Sequence, residues 1–528
     1  MSVRGCEQKR QDQKRAPVYK VVDLFAGPGG LGEGFAVSVD EKEAPRFTSV
    51  VSIEREQFSH QTLLLRHFTR QFPEGELPDD YYAFLAGEIS RDQLYQRYPV
   101  AYRHAASSAL QISLGPESHE RVRKIIRERV SESRRWVLVG GPPCQAYSLV
   151  GRSRMMGRSD FEKDERHTLY LEYLRIIADH RPPVFVMENV KGLLSATIEG
   201  KSAIAQIVRD LSRPNTAIPD APSNLTYRLY SLVEEDMADE GVDPRLFVVR
   251  AEEYGIPQAR HRMFIVGIRG DLTVRPRVLK KMEAPTVQET IGSLPSIRSG
   301  LSRGGDSVSA WLKELRAISS VNVHRQLNDV SYASEVARAL NIHELIGMKS
   351  PCAVSSMQYP TFRPTHEVLR HLYDERLSVL TAHEARSHMA SDLRRYLYAA
   401  TFAQKVGRSP KLADFPEGLL PEHRNVALGR TGKMFSDRFR VQLADRVSTT
   451  ITSHISKDGH YFIHYDPAQC RSLTVREAAR LQTFPDNYFF SGPRTAQYHQ
   501  VGNAVPPQLA KQIAEIVAEV LNSVRDEG

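Results

Sequence analysis

The stretch "YKVVDLFAGPGGLGEGFAVS", from Tyr19 to Ser38, joins an apolar run to a cluster of glycines. The apolar residues predict a buried strand, and the glycines predict a tight turn that opens a helix. Further apolar runs, "FTSVVSIE", "WVLVGG", "PVFVMEN" and "RMFIVGI", read as strands, and "TLYLEYLRIIADH" has helical spacing. Strands that alternate with helices predict a parallel α/β sheet with helices on both faces.

Composition sets the broad class of the protein. The chain has 528 residues, of which 41% are hydrophobic and 25% charged, as in soluble globular proteins of two or three domains. It has no apolar run near the roughly 20 residues that span a bilayer, and its basic start lacks a signal-peptide core, so we expect a cytoplasmic protein. Its net charge of +8 suits a polyanionic partner. The four cysteines show neither a disulfide framework nor a zinc spacing, and we predict no metal site: Cys6, Cys144, Cys352 and Cys470.

The glycine turn and the acids after it suggest a nucleoside site. "GPGGLG" contains Pro28 and matches neither the phosphate loop GxxxxGK[ST] nor a clean GxGxxG. Glu54 ends the second predicted strand, where a carboxylate can bind both hydroxyls of a ribose. A nucleoside without a pyrophosphate, such as S-adenosylmethionine, therefore fits better than NAD, and a purely structural turn is the alternative. "AGEIS" is predicted to end a third strand, with Glu88 as a further acid and Ile89 free to pack on an adenine.

A cysteine on a rigid turn is the candidate nucleophile. In "WVLVGGPPCQAYSLVGR", from Trp136 to Arg152, two prolines follow the strand and fix Cys144 at the carboxyl edge of the sheet. Open α/β folds bind ligands at this edge, and a nucleophile requires such a fixed position. The alternative is a small buried residue, the ordinary state of a free cysteine.

A carboxylate and two arginines accompany this cysteine. Glu188 follows the apolar residues of "VFVMENV". Burial of a carboxylate there is unfavourable unless the carboxylate has a function or a salt-bridge partner. Gln258, Arg260 and Arg262 alternate in "YGIPQARHRMFIVG", and a period of two places them on one face of a strand. The arginines could bind a base carbonyl or phosphates, or could be ordinary surface residues.

Six motifs occur in a fixed order along the chain: "DLFAGPGG", "GPPCQ", "ENV", "QARHR", "LTVREAARLQTFPD" and "QVGNAVPP". In that order they resemble the cytosine-5 DNA methyltransferase family, in particular the bacterial members of restriction-modification or phage-defence systems. The resemblance covers roughly residues 18–285 and 445–515. It implies a Rossmann-like, S-adenosylmethionine-dependent α/β fold with a mostly parallel sheet and a separate target-recognition domain.

The resemblance implies a covalent mechanism. A thiolate from Cys144 attacks carbon 6 of cytosine, carbon 5 takes the methyl group of S-adenosylmethionine, and loss of the carbon 5 proton expels the cysteine. Glu188 would bind ring nitrogen 3 and the exocyclic amine, for which a raised pKa would help. Arg262 would hold the ring carbonyl, and Arg260 would support the nucleophile loop.

The same resemblance assigns binding residues. The cofactor pocket would be lined by Phe25, Gly27, Gly29, Glu54, Glu88, Ile89, Pro143, Asn503 and Val505. The family usually has aspartate where Glu88 stands. The target base must leave the duplex, and the expected DNA contacts are Gln145, Arg152, Arg154, Gln258 and Thr450. The implied partner is double-stranded DNA, the enzyme is expected to be a monomer, and a cognate restriction or defence protein stays open as a second partner.

The same motifs predict the domain boundaries. A basic tail over 1–16 precedes a catalytic and cofactor-binding domain over 17–289. A target-recognition domain follows over 290–470, because α/β alternation stops there and arginine is abundant. A hinge over 471–497 leads to a helix over 498–528 that returns to the catalytic domain.

Three other functions share part of this pattern. A tRNA cytosine methyltransferase would use the same motifs, although the large middle region favours duplex DNA. A catalytically inactive DNA-binding homologue would not need Cys144, Glu188 and Arg262 together. A dinucleotide-dependent oxidoreductase would explain the glycine turn but not the Pro-Pro-Cys-Gln turn.

Overall fold

The fold is described from a computed structural model of the chain. The described residues are 18–73, 75–131, 133–143, 165–198, 201–235, 237–238, 243–320, 338, 359–360, 364–421, 437–457 and 459–524.

Strands and helices alternate through the first half of the chain. The strands are β1 (Tyr19–Leu24), β2 (Phe47–Glu54), β3 (Ala109–Gln111), β4 (Trp136–Gly140), β5 (Val184–Val190), β6 (Thr197–Ile198), β7 (Lys201–Ser202), β8 (Tyr227–Tyr230), β9 (Met237–Ala238), β10 (Val248–Arg250), β11 (Gln258–Ala259), β12 (His261–Arg269), β13 (Gly300–Leu301), β14 (Ser387–His388) and β15 (Ser448–Thr449). The helices are α1 (Gly30–Ala36), α2 (Gln57–Thr69), α3 (Asp79–Leu85), α4 (Arg91–Arg97), α5 (Pro99–Ser108), α6 (His119–Val130), α7 (Glu165–His180), α8 (Ala203–Ser212), α9 (Val287–Ile291), α10 (Val308–Arg316), α11 (Glu367–Arg370), α12 (Ala390–Val406), α13 (Val475–Leu481), α14 (Arg494–Asn503) and α15 (Pro507–Asn522).

The central sheet has the order β3-β2-β1-β4-β5-β12-β8-β9, and β10 also pairs with β12. The pairs among β3, β2, β1, β4 and β5 are parallel. The predicted α/β sheet is therefore confirmed. β12 differs from the prediction because it runs antiparallel to both β5 and β8. The parallel strands end at one common edge, which is the place where open α/β folds bind ligands.

Both faces of the sheet are covered, as strand alternation requires. On one face, Val22 and Leu24 belong to a buried cluster that includes residues of α6, α7 and α8. On the other face, Val21 belongs to a cluster in which α1 and α15 pack against residues of the sheet strands. The last described helix therefore covers the first strand of the sheet.

Glycines bring α1 and α15 into close contact. A Cβ on Gly34 would lie 2.4 Å from the Cβ of Ala510, and a Cβ on Gly30 would lie 2.3 Å from the carbonyl oxygen of Val505. Real Cβ atoms do not approach other atoms so closely. These two glycines of the glycine-rich stretch thus serve the packing of the C-terminal segment.

The prediction of a strand end at "AGEIS" is wrong, because three helices occupy residues 79–108. Gly87 follows α3 with φ of +77°, which stops the helix. Ser90 then begins α4 with a capping box, in which Ser90 and Gln93 bind each other's backbone N–H groups. The third parallel strand is instead the short β3, which follows α5 directly.

The region predicted to recognise DNA has a small core of its own. Trp311 and Leu315 of α10 pack with Leu393, Tyr396 and Leu397 of α12. The Asp-Gly pair in "STTITSHISKDGHYFIHYD" predicts strands on either side of a turn, which the structure does not show among the described residues. The segment forms one two-residue strand, β15, and 3₁₀ turns over Ser453–Ser456 and Gly459–Phe462, because its hydrogen bonds go to other segments.

Candidate active site

A cavity of about 760 Å³ lies at the carboxyl edge of the parallel strands. Its volume is in the range of cavities that bind small molecules and cofactors. Most of the residues predicted to bind the cofactor line it: Phe25, Gly27, Glu54, Pro143, Asn503 and Val505. Glu188 also lines it, so the candidate cofactor site and the candidate base site share one cavity.

Glu54 is held in place by its neighbours. Its Oε2 accepts a hydrogen bond of 2.9 Å from the Gly27 amide, and its Oε1 accepts one of 2.6 Å from the Glu56 amide. A carboxylate has about four acceptor positions. Two therefore remain for a ligand, and the backbone of the glycine turn fixes the carboxylate that would bind it.

The glycine turn is shaped for the cavity at Phe25 and Gly27. Phe25 has φ of +57°, a left-handed conformation that is unusual for an aromatic residue and common at functional sites. A Cβ on Gly27 would have no atom within 4 Å, so the backbone there borders open space. Gly29 lies elsewhere. It is not among the cavity-lining residues, and a Cβ there would lie 2.9 Å from Leu63.

The predicted roles of Glu88 and Ile89 are contradicted by their positions. Glu88 is exposed on the turn between α3 and α4, and Ile89 packs against the aromatic cluster around those helices. The cavity wall is formed instead by Ile112, Ser113 and Leu114, which follow β3. Sequence reasoning missed them because β3 is three residues long and resembles the end of α5. The turn residues "SLGP" after the apolar pair Leu110 and Ile112 were the available signal.

Glu188 stands next to the Pro-Pro turn. β4 and β5 are parallel neighbours, with Gly140 opposite Met187. A Cβ on Gly141 would lie 2.9 Å from Oε2 of Glu188, so the absence of a side chain there admits the carboxylate. Asn189 Nδ2 donates to the Pro142 carbonyl at 3.3 Å. The end of β5 is thereby tied to the turn that carries the candidate nucleophile in the sequence.

Glu188 is paired with Arg262 across β5 and β12. Nε of Arg262 lies 3.2 Å from Oε1 of Glu188, and both side chains are largely buried. Burial raises the pKa of Glu188, while the charges of Arg262 and then Arg260 oppose the rise. The group is thus a carboxyl whose protonated form is favoured more than in water. A carboxyl of this kind can donate a proton at a ring nitrogen.

Arg260 and Gln258 are turned inward. Arg260 is 1% exposed and donates to the carbonyls of Ile451 and Gly502 at 2.9 and 3.2 Å. These bonds hold the segments around 451 and 502, and the predicted support of the nucleophile loop stays a prediction because that loop lies outside the described residues. Gln258 is 0% exposed. It donates to Leu481 and accepts from Ile451, so the prediction that it contacts DNA is wrong.

Thr450 joins the same junction. Its hydroxyl donates to the Ala259 carbonyl at 2.5 Å, and β15 pairs with β11 just before it. Its side chain is half-buried and already bonded. The chain segment that bears the two arginines is therefore fixed to residues 448–450 of the predicted recognition domain.

Cys144, Gln145, Arg152 and Arg154 lie outside the described residues. The last described residue before them is Pro143, which lines the cavity. Their roles stay predictions.

One buried acid in the cavity wall was not predicted. Asp23, at the end of β1, is 1% exposed, and no described group forms a hydrogen bond to either carboxylate oxygen. A Cβ on Gly32 would lie 2.9 Å from its Oδ2. Burial raises the pKa of Asp23 to about 7, Arg70 opposes this rise and Glu54 adds to it.

One helix wall of the cavity was also missed. Thr495, Ala496, His499 and Gln500 of α14 line it together with the predicted Asn503. The sequence shows the helical spacing of Thr495, His499 and Asn503, but nothing in it says which face of α14 meets the cavity. Within the described ranges, no group of three or more metal-ligating side chains comes together, and no helix has the length and apolarity to cross a membrane.

Comparisons with known proteins agree with this arrangement. The family model "C-5 cytosine-specific DNA methylase" matches residues 105–213 and 226–519. The chain is 32% identical over 521 residues to the type II methyltransferase M.Bpa9945I of Bacillus paralicheniformis, with 95% of this chain and 99% of the relative covered. It is 27% identical over 413 residues to the DNA (cytosine-5-)-methyltransferase M.ApeKI of Aeropyrum pernix, covering 74% of this chain and 82% of the relative.

A solved structure shows a similar fold. It is described as a DNA modification methyltransferase encoded within an Escherichia coli prophage, and it matches with a TM-score of 0.50 and 18% identity over 96% of this chain and 99% of that chain. The sheet, the cavity and these matches define a methyltransferase of the α/β class. The chain belongs to the C-5 cytosine-specific DNA methylase family and is a DNA (cytosine-5-)-methyltransferase of the bacterial restriction-modification type.

Proposed function

We propose that the protein methylates carbon 5 of a cytosine in a specific double-stranded DNA sequence, with S-adenosylmethionine as methyl donor and Cys144 as covalent nucleophile. The observation that carries the proposal is the ion pair between Glu188 and Arg262. This pair lies beside Gly141, and Gly141 precedes Cys144 by three residues in the sequence. The pair supplies a protonatable carboxyl and a cation to one base. Neither a dinucleotide oxidoreductase nor an inactive homologue requires this pair.

The cavity residues fit S-adenosylmethionine. Glu54 has free acceptor positions for two ribose hydroxyls, and Phe25 and Ile112 offer apolar surface to the adenine. Asn503 and Val505 would border the methionine end. When bound, the cofactor supplies an electrophilic methyl group.

The chain's own residues would activate the cytosine. The Cys144 thiolate adds to carbon 6, while the Glu188 carboxyl gives a proton to ring nitrogen 3 and Arg262 binds the ring carbonyl. The electron pair of the carbon 5–carbon 6 double bond becomes available at carbon 5, which accepts the methyl group. Loss of the carbon 5 proton to solvent restores the double bond and releases the Cys144 thiolate, and ring nitrogen 3 returns its proton to the Glu188 carboxylate. An ordinary thiol with a pKa of about 8.5 is mostly protonated at neutral pH, so its proton must leave before or during attack.

Duplex DNA is the proposed substrate because the region from 290 to 470 contributes a separate hydrophobic core with abundant arginine. The target base would have to leave the stack, at a cost of a few kcal/mol. Base-specific contacts would come from that region, and the catalytic residues from the sheet.

The test is transfer of a labelled methyl group from S-adenosylmethionine to duplex DNA, single-stranded DNA and tRNA in parallel. Incorporation into duplex DNA at carbon 5 of cytosine is the expected result, and base-resolution sequencing of the product then gives the site. Incorporation into tRNA alone would favour the RNA enzyme. Binding of duplex DNA without any incorporation would favour the inactive homologue.

A further inference from the structure

A basic rim borders the cavity on the side of α14. Gly502 packs against the turn that follows β15, since a Cβ there would lie 2.4 Å from the Ser453 nitrogen. His499, one helical turn before Gly502, lines the cavity. The 3₁₀ turn Ser453–Ser456 and the exposed side of α14 therefore stand next to each other at the cavity mouth.

Three basic side chains lie on this rim and are exposed: His454, Lys457 and His499. Burial lowers the pKa of His499, the charges of Lys457 and His454 lower it further, and Glu56 opposes this. The turn and α14 are in contact, with Gly502 against Ser453, so the three side chains lie on adjoining elements. Among the described residues, no carboxylate forms an ion pair with His454 or Lys457.

The turn that bears these groups is anchored from beneath. A guanidinium nitrogen of Arg386 donates to the Ile455 carbonyl, and the same guanidinium lies 4.3 Å from the centre of the Tyr498 ring. Thr450, earlier in this segment, has its hydroxyl bonded to Ala259. The backbone of the segment is therefore anchored, and its exposed basic side chains are those of His454 and Lys457.

A lysine ammonium beside two imidazoles on a fixed backbone offers a positive charge and N–H donors to an anion. The anion class that meets this rim beside a base-binding cavity is the DNA phosphate. Phosphate oxygens accept hydrogen bonds from Lys and from imidazole N–H groups, and such contacts set the position of a duplex without reading its sequence.

We propose that His454, Lys457 and His499 form a phosphate-binding site that holds the DNA backbone at the mouth of the catalytic cavity. This inference rests on the proposed function, because it assumes that DNA enters the cavity from this side. Lys457 provides a positive charge, and the two imidazoles provide ring nitrogens that can donate to phosphate oxygens. Removal of the Lys457 charge should therefore weaken DNA binding and make it less sensitive to salt.

The test measures binding of a labelled duplex of mixed sequence to the full-length protein by fluorescence anisotropy. Salt titrations at a single pH give the slope of log affinity against log salt. Lys457→Gln should reduce the magnitude of that slope by about 1. His454→Gln combined with His499→Gln should weaken DNA binding at constant salt, because both imidazoles are lost.

The matched control is Lys42→Gln, because Lys42 is exposed on the turn before β2, at the opposite edge of the sheet. It should keep the wild-type slope. His454→Gln and Lys457→Gln, which lie outside the cavity, should keep the affinity for S-adenosylhomocysteine in calorimetry, which also shows that the variants fold.

Two results would overturn the site while leaving the proposed function intact. One is that all the rim variants keep the DNA affinity of the wild type and its slope of log affinity against log salt. The other is a loss of S-adenosylhomocysteine affinity in His499→Gln with DNA binding unchanged, which would place that imidazole on the cofactor. A wild-type protein that binds cofactor but no DNA would instead contradict the proposed function itself.

Discussion

Nε of Arg262 lies 3.2 Å from Oε1 of Glu188, although 73 positions separate the two residues in the sequence. The antiparallel pairing of β12 with β5 brings them together, with Arg262 opposite Val190 and Phe264 opposite Glu188. The pair couples the proton affinity of the carboxyl to a fixed positive charge.

This coupling predicts a pH effect. The protonated form of Glu188 is lost as the pH rises through its pKa, so the single-turnover rate should fall there. Arg262→Gln removes the charge that lowers this pKa, and the falling limb should move to higher pH even though the rate itself decreases. Glu188→Gln should lack the limb and react about 10²–10⁴-fold more slowly. A limb at the same pH in wild type and Arg262→Gln would contradict the assignment.

Cys144→Ser should abolish methyl transfer, because a serine hydroxyl is a far weaker nucleophile toward carbon 6. Calorimetry with S-adenosylhomocysteine should show cofactor affinity close to wild type. Cys352→Ser, a change outside all the chemical motifs, is the matched control and should remain active. Appreciable turnover by Cys144→Ser would remove this residue from its assigned role.

Glu54→Ala should weaken binding of S-adenosylmethionine more than binding of DNA. Charge-assisted hydrogen bonds contribute about 1.5–3 kcal/mol each, so the dissociation constant should rise by at least tenfold. Glu88→Ala is the control of the same chemical type. It should leave the affinity unchanged because Glu88 is exposed outside the cavity. Equal effects of the two substitutions would argue against this pocket.

Asp23 should make the protein less stable as the pH rises. Its pKa is raised from 3.8 when unfolded to about 7 when folded, so its contribution to stability is present below pH 4 and is lost as the pH approaches 7. Relative to Asp23→Asn, the unfolding free energy of the wild type should fall by about 1.4 kcal/mol per pH unit across that window. Denaturant midpoints of both proteins measure this. Parallel pH profiles would show that Asp23 does not titrate there.

Exchange of residues 300–446 for the matching segment of a homologue should transfer the target sequence to the chimera. The segment contains α10 and α12, which pack on each other in a separate core. β15 and Ile451 are kept, because they bind β11 and Arg260. Sites of methylation would be mapped by base-resolution sequencing. An active chimera that methylates the original sequence would place recognition in the catalytic domain.

The strand ends could be predicted from sequence where an apolar run stops at an acid. Glu54 and Glu188 both follow such runs and both line the cavity. Glu88 could not be placed in this way, since Gly87 and the Ser90 cap show that a helix ends and another begins there. The capping pattern can be seen in the sequence. The three-residue β3 could not be recognised, because it directly follows the helices over 79–108.

The inward positions of Gln258 and Arg260 lay beyond sequence reasoning. Alternation correctly puts residues on one face of an extended segment, but burial depends on what covers that face. The groups that bind these two side chains belong to Ile451, Leu481 and Gly502, about 190 to 240 positions later. A pattern within a short window contains no information about such distant partners.

The close packing of α1 on α15 has a consequence for biosynthesis. Gly34 and Ala510 are 476 positions apart, so at about 5–20 residues per second they leave the ribosome roughly 25–100 s apart. Throughout that time the apolar face that α15 covers is exposed to water or to chaperones. A nascent chain cut short by premature termination would lack this cover. We therefore expect the cell to accumulate either finished enzyme or degradable fragments, with no partly active species between them.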